Sequence, residues 1–204
     1  MGDSVRVVGL GGSLRAGSTS LTALRTALEG ASEAGADTRL LAVRDLGLPL
    51  YTPEHRIPEA AQRLVDTVIG AEAMIWSSPT YQGSVSGALK NALDWLILLA
   101  NHEPPYLTNK PIGLVATAGG VQGLQAINAM EFSVRALRAW AVPLVLPVAQ
   151  SSQVFDAEGG LTNAAIADQL RALGGEVARA AYQFRRDGTC DYADGRQFAA
   201  PAAT

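Results

Sequence analysis

Val5-Arg6-Val7-Val8-Gly9-Leu10-Gly11-Gly12-Ser13-Leu14-Arg15-Ala16-Gly17-Ser18-Thr19-Ser20-Leu21 is the stretch that sets the architecture. Residues 5–10 form a short valine-rich run of the kind buried on both faces of a parallel sheet. Glycines end it. Residues 19–34 then place Leu21, Leu24, Ala27 and Leu28 at helical spacing, with Gly35 where a C-terminal cap belongs. The unit is strand, glycine loop, helix.

The same alternation continues outward. Strands are expected at 38–43, 73–77, 112–116 and 142–148, and helices at 59–71, 86–100, 124–140 and 164–184, with a proline-bearing loop at 47–58. Regular βα alternation needs right-handed crossovers, which put helices on both faces of one parallel sheet. Five such strands suit the order 2-1-3-4-5. Residues 185–204 lose periodicity and end Ala-Ala-Pro-Ala-Ala-Thr. Hence one α/β domain at 1–184 and a C-terminal tail at 185–204 are expected, the tail polar or a docking arm for a partner.

Composition narrows the function. With 48% hydrophobic residues over 204 positions the chain can bury a sizeable core. Sixteen Lys and Arg against 19 Asp and Glu leave a net charge of -3, which gives no electrostatic grip on a phosphate backbone, so nucleic acid is not an expected partner. Cys190 is the only cysteine, which rules out an intrachain disulfide, a CxxC pair and a four-cysteine zinc site, and fits a reducing compartment. No long apolar run or leader pattern occurs, so no membrane and a cytoplasmic location are expected. No metal site is expected.

In an open parallel sheet, ligands bind beyond the carboxyl ends of the strands where the strand order reverses. Three loops converge there: 11–20, 78–87 and 117–123. The first combines glycines, the coming helix N-terminus, the hydroxyls of Ser13, Ser18, Thr19 and Ser20, and the forked guanidinium of Arg15. This suits a terminal phosphomonoester. A nucleoside-triphosphate loop would need Gly-Lys-Ser/Thr, yet no lysine precedes Lys90. A dinucleotide loop would need a third glycine where Leu14 stands, although Asp45 could serve as its ribose-binding acid, and that alternative stays open. So does a simple helix cap.

In the second loop Pro79 and Tyr81 offer a fixed backbone and a stacking surface to a flat ring, or a half-buried packing residue. Ser84 or Ser86 caps the next helix, and Lys90 with Asp94, four apart, reads first as a surface pair. His55 and His102, the only histidines, have no acidic partner and nucleophile assigned by the sequence, and Gly-Gly-Ser-Leu-Arg lacks the last glycine of a nucleophile elbow. A hydrolase is a poor reading.

Four motifs in order carry a resemblance: Gly-Ser-Leu-Arg-x-x-Ser at 12–18, Leu-Pro-Leu-Tyr at 48–51, Ser-Pro-Thr-Tyr at 78–81 and Gly-Ala-Leu-Lys-Asn-Ala-Leu-Asp-Trp at 87–95. Over about residues 5–184 the chain resembles the NAD(P)H-dependent FMN reductases. The resemblance implies a flavodoxin-like fold holding FMN, its phosphate at Ser13, Arg15, Ser18, Thr19 and Ser20. Many members carry asparagine where Ser20 stands. It further implies contact of Pro79, Thr80, Tyr81 and Gln82 with the isoalloxazine edge, and of Thr117, Gly119 and Gly120 with its other side.

NADPH or NADH would be the co-substrate, the flavin would do the redox chemistry, and no catalytic side chain is expected. Electrons would pass to free flavin, a quinone or another small-molecule acceptor. The motifs at 78–81 and 86–90 are similar to those of FMN reductases serving sulfonate monooxygenases, which makes a flavin-dependent monooxygenase a candidate partner. Residues 125–132 lack the inserted tyrosine of some of those enzymes. The resemblance also implies a homodimer or homotetramer, with Trp95, Trp140 and the helix from Gly123 as contact candidates, Trp as plain core being the other reading. An electron-transfer flavodoxin without nicotinamide activity is the competing class, although flavodoxins are usually strongly acidic.

Overall fold

A computed structural model describes residues 4–53 and 56–186. The first unit forms as the sequence requires: β1 (Arg6–Gly11), a loop, then α1 (Thr19–Glu33). Next come β2 (Asp37–Ala42), the short α2 (Val43–Leu46), α3 (Glu59–Ile69), β3 (Ala73–Tyr81), β4 (Ser84–Val85) and α4 (Gly87–Asp94). A 3-10 turn (Trp95–Leu99) leads to β5 (Pro111–Thr117), α5 (Gly123–Ala136), β6 (Trp140–Val148), the short α6 (Ser151–Val154) and α7 (Ala164–Arg186).

The parallel sheet has the order β2-β1-β3-β5-β6. Its fourth and fifth parallel strands are β5 and β6, so this is the expected 2-1-3-4-5 arrangement. Alternate side chains of each strand point to opposite faces. Met74 and Trp76 of β3 join Leu64, Leu89 and Ile127 of α3, α4 and α5, while Ala73 and Ile75 join Leu24 of α1 and Leu173 of α7. The result is a three-layer sandwich whose two cores need both helical layers. Among the described residues no helix is long and apolar enough to cross a membrane.

Several boundaries differ from expectation for local reasons. β3 does not stop at residue 77: Ser78 and Pro79 keep pairing with Ala116 and Thr117, and Thr80 and Tyr81 fold back onto β4. Residues 78–81, expected in a loop, are therefore strand. The helix expected through residue 100 tightens to 3-10 at Trp95, and α5 ends before Leu137 because Arg138 takes a left-handed φ of 61°. That releases Trp140 into β6, an edge strand that bulges between Ala141 and Val145, around Pro143. α7 runs past residue 184 to Arg186, which carries the helix across the expected start of the tail. His55, Cys190 and the rest of 187–204 lie outside the described residues.

Candidate functional site

The carboxyl ends of β1, β3 and β5 bring the three loops together at the reversal point. In the first loop Ser13 is buried and its Oγ accepts the Arg15 amide at 3.2 Å. Gly17 turns the chain with φ 62°, delivering Ser18 as the N-cap residue of α1. Ser18 makes no side-chain cap. Its Oγ lies instead 2.9 Å from the Oγ of Ser20, both buried, at a helix end whose first amides lack intrahelical partners. Arg15 is exposed and has no ion-pair partner among the described residues.

The loops are fastened to one another. Thr19 Oγ1 donates to Thr117 Oγ1 at 3.5 Å, joining the first loop to the third. Ser77 Oγ donates to the Ser20 carbonyl at 2.7 Å, and the Gly12 amide to the Ser77 carbonyl at 2.8 Å. Ser86, not Ser84, caps α4: its Oγ accepts the Leu89 amide at 3.1 Å and makes a short hydrogen bond to the Gly12 carbonyl. A Cβ on Gly12 would stand 2.6 Å from that of Leu89, so only glycine lets the first loop lie this close to α4.

The second loop is a tight hairpin. Gln82 and Gly83, with φ of 48° and 75°, turn β3 into β4 and leave Tyr81 53% exposed. Ser78 Oγ accepts the Ser86 amide at 2.9 Å and donates to the Pro79 carbonyl at 2.8 Å, which fixes the hairpin base. Thr80 Oγ1 is buried without a hydrogen-bond partner among the described residues. Opposite, Gly119 and Gly120 are exposed and a Cβ on either would meet nothing within 4 Å.

This donor set fits a flavin mononucleotide: paired hydroxyls and a helix N-terminus for a phosphate, an unspent buried hydroxyl, and open space over glycine beside an exposed tyrosine. Of the twelve FMN-contact candidates, Ser13, Arg15, Ser18, Gln82, Gly119 and Gly120 lie in the connections themselves, while Thr19 and Ser20 open α1, Pro79, Thr80 and Tyr81 end β3, and Thr117 ends β5.

The remaining two motifs have a structural task. Asn91 Oδ1 accepts the Tyr51 amide at 2.8 Å, and the Pro49 carbonyl accepts from Asn91 Nδ2 at 3.0 Å and Trp95 Nε1 at 2.9 Å. The Tyr51 ring meets Trp95 edge-on at 5.2 Å. Residues 48–51 are thereby pinned to α4 and the turn that follows it. Trp95 is 1% exposed, so as a subunit-contact candidate it is corrected: it belongs to the core of its own chain. Lys90 and Asp94 form the surface pair, at 2.5 Å. Asp45 lies exposed in α2, its Oδ1 3.4 Å from Arg44 Nε. A cavity of about 950 Å3 lined by Thr108, Glu131, Arg135, Arg138 and Trp140 opens elsewhere, and holds none of the three loops.

Comparison with known proteins agrees with this geometry. The NADPH-dependent FMN reductase family matches residues 5–153. The chain belongs to that family. An NAD(P)H-dependent FMN reductase of Pseudomonas aeruginosa is 30% identical over 186 residues, covering 85% of this chain and 95% of that protein. An NADPH:quinone oxidoreductase of Arabidopsis thaliana is 28% identical over 188 residues, covering 83% and 88%. Among solved structures, the flavoenzyme NAD(P)H:(acceptor) oxidoreductase FerB of Paracoccus denitrificans superposes with a TM-score of 0.70 at 23% identity, covering 88% of this chain and 98% of that one. As an FMN reductase, this protein uses FMN as cofactor and NAD(P)H as co-substrate, and passes the electrons to an acceptor. That separates it from an electron-transfer flavodoxin.

Sequence reasoning missed the cross-links. Ser77, at the end of a buried strand, and Thr22, Gln150, Ser151 and Gly159, which contact the first and third loops, carry no local sequence signal for these bonds.

Proposed function

We propose that the FMN phosphate is held by the hydroxyls of Ser13, Ser18, Thr19 and Ser20 at the start of α1, with the Arg15 side chain closing over it. The isoalloxazine then lies between Pro79, Thr80, Tyr81 and Gln82 on one side and Thr117, Gly119 and Gly120 on the other. The observation that carries this reading is the Ser18–Ser20 hydroxyl pair at a helix N-terminus tied, through Thr19 and Thr117, to the third loop. When bound, FMN would supply the two-electron chemistry that links the nicotinamide to the acceptor. The chain's own residues bind and orient: Thr80 spends its buried hydroxyl, and the amides of the second and third loops meet developing negative charge. No side chain is required as acid or base.

The acceptor is a small molecule, and a quinone is the candidate that the Arabidopsis relative supports. A flavin-dependent monooxygenase as electron partner, and kinship with the sulfonate systems, rest on the motifs at 78–81 and 86–90 alone. The catalytic unit extends through the end of α7 at Arg186, with the remaining residues as a tail, the location cytoplasmic, and the assembly a homodimer or homotetramer.

The test is a flavin titration of the wild type and of the double variant S18A/S20A, followed by NADPH oxidation at rising FMN. Loss of two donors to a dianion is expected to weaken FMN binding at least tenfold, with NADPH oxidation recovering at high FMN. An affinity equal to wild type would remove the phosphate from this loop.

A further inference from the structure

Residues 150–160 lie against the first and third loops at once. On one side the Gln150 and Ser151 amides donate to the carbonyls of Gly120 and Ala118, each at 2.9 Å. On the other, Thr22 Oγ1 in the second turn of α1 donates to the Gly159 carbonyl at 2.8 Å. Gly159 is buried and has φ 85°, and a Cβ there would stand 2.9 Å from the Gly17 carbonyl oxygen. The segment therefore seats directly on the left-handed turn that delivers Ser18.

The seating is firm. Val154 and Phe155 are buried in the core beneath α1 and α7, and Phe155 bridges Leu161. Asp156 Oδ1 accepts the Gly160 amide at 2.6 Å, and the Gly160 carbonyl accepts the Asp156 amide at 2.8 Å.

We infer that residues 150–160 are a strap that holds the phosphate loop at a fixed distance from Gly119 and Gly120, with Thr22 as the positioning residue that fastens it. The inference rests on the phosphate being held at Ser18 and Ser20. Thr22 touches no ligand; it acts through the Gly159 carbonyl and hence through Gly17. Because the strap bears on the turn that presents Ser18, loosening it costs affinity for the phosphate and leaves recognition of the ring unaltered.

The test compares FMN with riboflavin, which has the same ring and no phosphate, by titration of wild type and the variants T22V, T22S and G159A. Wild type is expected to prefer FMN. T22V removes the donor at constant size and G159A forces a Cβ against Gly17; each is expected to shrink that preference about fivefold, the scale of one neutral hydrogen bond. T22S keeps the donor and is expected to keep the preference. If wild type shows no preference, the phosphate assignment itself fails. A wild-type preference that survives in both T22V and G159A, or that is lost equally in T22S, overturns the strap.

Discussion

Ser86 joins two structural tasks in one oxygen, since it caps α4 through the Leu89 amide and holds the first loop through the Gly12 carbonyl. Ser86→Ala removes a cap worth about 1 kcal/mol. It also strands a buried carbonyl, at a further cost of about 1–3 kcal/mol. The expected outcome is a loss of about 2–4 kcal/mol in urea denaturation and weaker FMN binding, because Gly12 leads straight into Ser13. A loss below about 1 kcal/mol would mean that water replaces the bond. Legibility at this scale follows sequence distance. Ser13, Arg15, Ser18, Thr19 and Ser20 fall within eight consecutive positions, so their chemistry can be read as a motif. The Ser77–Ser20 and Thr22–Gly159 bonds join residues 57 and 137 apart, and no local pattern announces them.

α1 and α7 cross with their backbones nearly touching. A Cβ on Gly174 would lie 1.8 Å from the Ala27 carbonyl oxygen, and one on Gly30 2.1 Å from that of Arg171. In an isolated helix Gly→Ala stabilises by about 1 kcal/mol. Here the sign reverses, because the helices must separate and open the core that contains Leu24 and Leu173. Gly174→Ala is expected to cost about 3 kcal/mol by chemical denaturation. Gly175→Ala, whose Cβ would meet nothing nearer than 3.6 Å, is expected to be neutral or stabilising and controls for propensity. The alternation of strands and helices was readable because buried parallel strands and amphipathic helices have distinct periods. The hairpin at 80–85 was not: Gln82 gives little hint of a left-handed turn, and β4 has two residues, too few for a period. The same holds for the start of β6, where a left-handed Arg138 ends a helical pattern that continues in the sequence to Trp140.

At the scale of the molecule, assembly and acid stability depend on surfaces that the elements leave uncovered or tie together. Phe132 on α5 is 76% exposed and Trp140 is 58% exposed, whereas Trp95 is internal, so the contact of the proposed homo-oligomer falls on the α5 side. Phe132→Asp is expected to lower the mass measured by sedimentation equilibrium, and an unchanged oligomer would place the contact elsewhere. At the amino ends of the central strands, Glu72, just before β3, joins the start of β1 to the end of α7. Its carboxylate accepts the Arg6 amide at 2.7 Å and Arg185 at 2.6 Å, and Arg185 also donates to the Ser4 carbonyl at 3.1 Å. Burial opposes ionisation of Glu72, but the bonds from Arg6 and Arg185 prevail and hold its pKa below the usual 4.5. A carboxylate lowered on folding adds stability above its unfolded pKa, and that stability disappears as pH falls from about 4.5 through the folded value. Lys110, beside it, is lowered by its own burial while donating to the carbonyls of Ile69 and Ala71. Its cost is present while it is charged, and is relieved as pH rises from the folded value toward 10.5. Glu72→Gln is therefore expected to lose about 1 kcal/mol at pH 7, with the gap to wild type narrowing at pH values well below 4.5. Urea midpoints of both proteins at neutral and acid pH measure that gap. A gap that stayed constant would show that the tie between β1, β3 and α7 does not depend on the Glu72 charge.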